Sequence, residues 1–374
     1  MRTLVVSDLH LGASNRADLL RVPELRAPLV AAVADGVDRF VVLGDGVELR
    51  EVPVRGAVAT YAPLLREVGE ALGPSGEVVL LGGNHDHGLL AGWADAHLMQ
   101  EPLVPMALST DIAPQAAGPL GAALAEAVAP ATLRFAYPGL WLREDVYALH
   151  GHYLDLHTTV PTIERLVAGA MARFVAPVPE RAVPDDYETV LAPLYAWMLA
   201  LTQRSRNGVV KAGSRSSARA WVLLAGQGRR QYPVRSLAMT AGFKVAVKVL
   251  DAAGIGPLRA ELSGPALRQG YLAAMGEVTR RLGISAEHIV FGHTHRSGPW
   301  PGDDQREWRT PAGAHLMNTG SWAYQPHFVA GPAGASPYWP GTAVVVDDTG
   351  PPRLVGLLAD RGHEELAAVA ERED

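Results

Sequence analysis

The chain of 374 residues is 48% apolar and 19% charged, which suits one large domain with an insertion or two to three smaller ones and excludes charge-driven disorder. Having no cysteine, it excludes disulfides, thiolate zinc sites and thiol nucleophiles, so any metal must be held by His, Asp, Glu, Asn or water. The net charge of −6 is unevenly placed: ten Lys or Arg and no acid lie between 201 and 250, leaving −16 for the rest, and this points to a basic surface facing an anionic partner.

Taken in order, the chain opens with MRTLVVSDLHLG, whose apolar run before Asp8 is too short for a signal peptide or a membrane span. A cytoplasmic location is expected. Five short β-branched or Leu-rich runs end abruptly in Gly, Asp, His or Asn: 3–10, 39–46, 78–86, 146–152 and 289–295. Such runs read as buried strands. Helical patterns at 19–33 and 61–72 separate the first three, which predicts βαβαβ and a sheet parallel at its centre. Ligands of open α/β sheets gather at the carboxyl ends of strands, where these polar residues lie.

Segments 133–137 and 140–144 read as two strands around a Pro138-Gly139 turn, and further strands are expected at 315–322, 342–348 and 353–358. The Ala/Gly/Pro-rich stretch 113–131 reads as a loop or short helix. From about 161 to 287 the pattern is helical, with expected core stripes Ile163, Leu166, Val167, Ala170, Met171, Phe174 and Val190, Leu191, Leu194, Trp197, Met198, Leu201. The fold class expected is α/β, an α+β sandwich of two mixed sheets packed face to face with helices outside. A core of 1–158 and 287–374 is split by a basic helical cap, 159–286.

Asp8 and His10 are two apart, which in an extended strand end puts carboxylate and imidazole on one side. His293 and His295 repeat the spacing beside Gly292. Asp45, after Gly44, has two oxygens and can bridge two cations about 3.5–4 Å apart. Asn84 offers a neutral amide oxygen and His150 ends another strand. This sulfur-free mixture suits Mn²⁺, Fe or Zn²⁺ more than Ca²⁺.

In order, Asp8-Leu9-His10, Gly44-Asp45-Gly46-Val47-Glu48, Gly83-Asn84-His85-Asp86, His150-Gly151 and Gly292-His293-Thr294-His295 resemble the five motifs of the calcineurin-like metallophosphoesterase superfamily. The resemblance covers 1–158 and 287–374. It implies two divalent metal ions, one held by Asp8, His10, Asp45 and His295, the other by Asp45, Asn84, His150 and His293. It further implies that His85 faces the scissile phosphate and stabilises or protonates the leaving oxygen, with Glu48 orienting it. Glu48-Leu49-Arg50 departs from the Asp-Arg-Gly of the protein-phosphatase branch, which argues against a phosphoprotein substrate. His152 stands where an Asp is often found.

Other histidines (His87, His97, His157, His288, His315, His327, His363) read as surface or hydrogen-bonded groups. Candidate substrate contacts are Arg16 and Arg296, near the motifs, and Arg229 and Arg230 in the basic window. The expected activity is hydrolysis of a phosphodiester or pyrophosphate bond in a small or lipid-linked anionic substrate. Segment 234–250, apolar with Lys244 and Lys248 four apart, resembles an interfacial helix and suggests peripheral contact with the inner membrane face. The likeness is in the direction of the bacterial UDP-diacylglucosamine pyrophosphatase group. Alternatives are a phosphomonoesterase, or a nuclease that stacks bases on Trp221, Tyr232 and Phe243. A metal-free scaffold would have no reason to keep every ligand.

Overall fold

The computed structural model describes residues 1–51, 53–204, 233–261, 263–329 and 331–371. Strands β1 (Thr3–Val6), β2 (Arg39–Leu43), β3 (Glu77–Leu81) and β5 (Thr132–Arg143) run parallel side by side. Strand β9 (Thr342–Val346) adds antiparallel to β1, β10 (Arg353–Gly356) to β9, and β4 (Ser109–Ile112) to β5. A second group follows: β6 (Val146–Leu149) is antiparallel to β5, and β7 (His288–Phe291) and β8 (His315–Asn318) continue parallel to it. The parallel centre expected from the βαβαβ pattern is present.

Strand β5 corrects the reading of a Pro138-Gly139 turn. It is one strand, whose first half pairs with β3 and β4 and whose second half pairs with β6. Pro138 lies opposite Ser109 on the short added strand β4, where a missing N–H is tolerated. A Cβ on Gly139 would strike the Tyr147 hydroxyl, so glycine permits the close approach at the hand-over between sheets.

Alternation along the strands sorts three cores. Val5, Val41, Val79 and Val344 share one buried cluster with Leu140, Val146, Ala148 and Val290 of the second sheet, so the two sheets face each other across it. Leu4, Val6, Phe40, Val42, Val78 and Leu80 point the other way, against α1 (Pro23–Ala34), α2 (Val54–Leu72) and α4 (Pro119–Val128). Gly69 lets α2 pack against the end of α4, since a Cβ there would strike the Val128 carbonyl. Helix α3 (Ala91–Leu98) follows β3.

The third cluster bears on the expected insertion, whose described helices are α5 (Ile163–Phe174), α6 (Pro184–Arg204), α7 (Pro233–Leu250) and α8 (Gly264–Arg281). Ala168 of α5, Tyr187, Val190 and Leu191 of α6, and Leu272, Met275 and Val278 of α8 are buried with Tyr147, Leu149, Ile289, Phe291 and Leu316 of the second sheet. Each buried Val, Leu, Ile, Met or Phe among them contributes about 1.5–3 kcal/mol. Helices α5, α6 and α8 therefore pack on the second sheet and share one hydrophobic core with it.

The expected stripe on α5 is displaced. Ile163 and Phe174 are exposed, while Arg165, Ala168 and Gly169 are buried. The reason is the Arg165 guanidinium, which turns inward and donates from Nε to the Thr158 carbonyl at 2.6 Å. On α6, Val190 and Leu191 are buried as expected, but Trp197 and Leu201 are exposed and Tyr187 and Tyr195 take their place inside. Helix α9 (His363–Glu371) closes the described chain. Among the described residues no helix is long and apolar enough to cross a membrane.

Candidate metal centre

The parallel strands deliver their polar ends to one edge. Asp8 and His10 follow β1, Asp45 follows β2, Asn84 and His85 follow β3, His150 follows β6, and His293 and His295 follow β7. Asp8, His10, Asp45, His293 and His295 all have left-handed backbones, with φ of 53, 47, 52, 68 and 58°. Non-glycine residues rarely adopt this region, and where they do strain gathers at functional sites. The i, i+2 pairs therefore meet through alternate left-handed residues after the strands have ended, and not through extended strand geometry.

Glycines make room for the convergence. A Cβ on Gly83 would run into the Asp45 carboxylate and His150, and one on Gly292 into Ser7 and Asp8. Gly44, at φ +87°, lies against the His150 ring.

Three groups result whose ligand atoms lie within 4.8 Å of one another: Asp8, His10 and His295; Asp45, His150 and His293; and His10, Asp45 and His85. In the first, the His10 and His295 Nε2 atoms are 3.0 Å apart, and Asp8 Oδ1 is 3.3 Å from the latter. In the second, His150 Nε2 is 3.3 Å from Asp45 Oδ2 and 3.1 Å from Asn84 Oδ1. Asp45 Oδ2 is also 3.8 Å from His10 Nε2, so this carboxylate lies between the two groups. A further grouping, Asp145, Glu287 and His288, is at the opposite strand ends, with Asp145 already paired to Arg143.

The rings are aimed by their second nitrogens. His150 Nδ1 donates to the Leu43 carbonyl at 2.8 Å, and His10 Nδ1 to Glu48 Oε2 at 3.1 Å. Each leaves Nε2 pointed into the centre, as metal-binding imidazoles require. Asp8 Oδ1 is buried without a hydrogen-bond partner, the orphaned oxygen a cation would satisfy. The oxygen and nitrogen donor set fits hard to borderline divalent ions.

Electrostatics point the same way. Burial alone would lower the pKa of His10, yet its bond to Glu48 and the charges of Asp45, Glu48 and Asp8 push it up to about 9. Against burial, Asp45 and Asp8 likewise hold His150 at about 9. Burial would raise Asp8, but His295 and His150 bring it down to about 2, and Asp45 and Glu48 are also held below the usual carboxylate range by neighbouring histidines. Burial lowers His295, while Asp155 outweighs burial and raises His293. The buried carboxylates thus stay charged and hold protons on imidazoles, protons that bound cations would displace.

His85 stands at the rim, with a quarter of its side chain exposed. Its Nδ1 is 2.6 Å from Glu48 Oε2, and its backbone N–H donates to Asp45 Oδ1 at 2.8 Å. One Glu48 oxygen thus serves both His10 and His85.

The sequence reading missed several supporting residues. Asp86 accepts from the backbone N–H groups of Gly46 and Gly83, both at 2.7 Å, tying together the loops after β2 and β3; burial and the nearby Asp45 charge raise it to about 6. Asp155 accepts from His293 Nε2 at 3.0 Å. Arg50 donates to His85 Nε2 at 3.2 Å and to the Asn84 carbonyl at 3.0 Å. Asp86 and Asp155 had a signal, since both follow motif residues directly or within a few positions.

Of the arginines expected at substrate, Arg296 is 8% exposed, donates to Asp303 at 2.7 Å and lies over the Trp308 ring, so it has partners of its own. Arg16 is half-buried in the loop after β1 with φ 56°. Arg229 and Arg230, like Trp221 and Tyr232, lie outside the described residues. His152 is buried against Tyr137, and burial and the neighbouring His150 and His293 drive its pKa well down.

Helix α6 lies over this rim. Glu188 accepts from the hydroxyls of Tyr137 at 2.6 Å and Tyr153 at 2.5 Å and pairs with His87 at 3.2 Å. Gln203 accepts from the Val54 N–H at 2.9 Å, and the Thr202 hydroxyl donates to the Arg50 carbonyl.

Residues 1–178 match the family model described as calcineurin-like phosphoesterase. The match takes in every motif except Gly292 to His295 and ends between α5 and α6. Comparison with curated proteins finds no match.

Proposed function

We propose, from the chain's membership of the metallophosphoesterase superfamily, that it hydrolyses a phosphodiester or pyrophosphate bond with two divalent ions, on a small or lipid-linked anionic substrate. The observation that carries the binuclear reading is Asp45, whose Oδ2 is 3.3 Å from His150 Nε2 and 3.8 Å from His10 Nε2. Asp8, His10, Asp45 and His295 would hold one ion, and Asp45, Asn84, His150 and His293 the other. Manganese, iron or zinc suits these donors.

Ions held there would supply Lewis-acid charge for the phosphoryl oxygens and the attacking water. The chain's residues do the rest. Asp86 fixes the two loops that carry Asp45 and Asn84. Glu48 holds His85 by Nδ1 and Arg50 Nη1 donates to its Nε2, so His85 would act on the leaving oxygen once that oxygen takes the place of Arg50 at Nε2. No protein nucleophile is required.

A lipid-linked substrate finds support in α7, where Lys244, Val245, Lys248 and Val249 are all exposed, as on a helix lying at a membrane surface. Peripheral contact at the inner face of the membrane is part of this proposal.

The test is chelation followed by reloading with Mn²⁺, Fe²⁺ or Zn²⁺ and assay on bis(p-nitrophenyl) phosphate. Activity lost on chelation and restored with two ions per chain is expected. A reloaded protein that cleaves no phosphate ester would refute the reading.

A further inference from the structure

Arg50 is 6% exposed at the junction of the metal rim and α6. Its Nε is committed to the Asn84 carbonyl and its Nη1 to His85, while Nη2 is buried with no hydrogen-bond partner. The carboxylate that faces it, Glu164 of α5, is 3.7 Å from Nη1, beyond hydrogen-bond length, and 41% exposed. The Tyr195 ring lies 5.7 Å from Cζ. Thr202 of the same helix binds the Arg50 carbonyl.

A guanidinium is a planar fork of five donors that matches a phosphate bidentately. Leaving one of its donors buried and unpaired is costly. A phosphate oxygen would supply the missing acceptor, and Arg50, which belongs to none of the three metal groups, adjoins them through His85 and the Asn84 carbonyl. A phosphoryl group at the metals would leave Arg50 one step further out, on the His85 side.

We propose that Arg50 anchors a second phosphoryl group, the one that leaves, so that the site selects substrates with a P–O–P link. This rests on the phosphoesterase reading above and chooses the pyrophosphate bond over the simple diester. In the reaction, water supplies the oxygen that bonds the attacked phosphorus and the bridging P–O bond breaks on the leaving side. The leaving phosphate keeps the bridging oxygen and its electron pair, its negative charge falling against Arg50, and the proton of the water passes to solvent. An alkyl or aryl leaving group would leave Nη2 unpaired.

The test uses the full metal-loaded chain and two 5′,5′-linked substrates that differ by one phosphoryl group, diadenosine diphosphate and diadenosine monophosphate. The wild type should favour the diphosphate. Arg50→Lys and Arg50→Ala should lower kcat/KM for the diphosphate by about 10- to 100-fold, the scale of a hydrogen bond to a charged group, and lower it less for the other, bringing the ratio towards one. Tyr195→Leu, which removes the ring beneath the guanidinium, should go part of the way and covers an Arg50 variant that fails to fold. Metal content is measured on each preparation. An unchanged substrate ratio in variants that keep their metals overturns the proposal. If the wild type turns over neither substrate, the hydrolase reading fails separately; calorimetric binding of diadenosine diphosphate then decides for Arg50, with equal affinity in wild type and Arg50→Ala overturning it.

Discussion

Asp155 Oδ2 lies 3.0 Å from His293 Nε2. The carboxylate sits in the short 3₁₀ turn His152–Leu156, five residues after His150, so one chain segment supplies both a candidate ligand and the group that orients the ligand facing it. A carboxylate on the outer nitrogen of a metal-binding histidine fixes its ring and raises its basicity. Asp155→Asn should therefore weaken metal binding about 10- to 100-fold, with little change in the fold. Titration of the chelated protein with Mn²⁺ or Zn²⁺, followed by calorimetry, reads this directly; unchanged affinity would make Asp155 a packing residue.

Asp45→Asn removes the charge between the two donor groups. Metal content should fall and turnover of bis(p-nitrophenyl) phosphate should vanish. A purified variant with two ions per chain and normal turnover would disprove the bridging assignment.

His85→Ala separates binding from chemistry. His85 also falls within ligand distance of His10 and Asp45, so two roles compete. As a group acting on the leaving oxygen, its loss should cut kcat by about 10²-fold or more with both ions retained. Parallel loss of metal and activity would make it a ligand.

His157, away from the centre, bonds Tyr187 through Nε2 at 2.9 Å. Burial, then the positive charge of Arg281, lowers it to about 4, with Arg165 and Arg280 adding to this and Glu277 opposing. The unfolded chain takes up this proton below its usual value of 6.5, while the folded chain resists it. Stability should fall as pH drops from about 6.5 towards about 4, at about 1.4 kcal/mol per unit. Comparing Tm at about pH 7.5 and about pH 5 should show a smaller acid loss in His157→Gln than in the wild type. Equal losses would show that His157 titrates normally.

The strand-end motifs were legible because each marks the point where an apolar run must stop: Val6 is followed by Ser7-Asp8, Leu43 by Gly44-Asp45, Leu81 by Gly82-Gly83-Asn84. Strand placement and the polar edge follow from such local contrast in hydrophobicity. The β5 reading failed because Pro138-Gly139 is a turn signal by local chemistry, and only the presence of two sheets sharing that strand makes it a crossing. The α5 stripe failed for a related reason: Arg165 is buried by a carbonyl of Thr158, a partner that helical periodicity does not contain.

By itself, the sequence determined the likeness to the calcineurin-like phosphoesterase family and the order in which oxygen- and nitrogen-bearing side chains end the strands, because these depend on residue type and on where hydrophobic runs end. Only the tertiary structure decided the rest. It made the helices around α6 and α8 part of the second sheet's core, gave Asp155 to His293 and Asp86 to the two loops, and engaged Arg296 with Asp303 while leaving an Arg50 donor without a partner. Those outcomes depend on hydrogen bonds and burial between segments far apart in the chain, and long-range geometry has no local pattern to announce it.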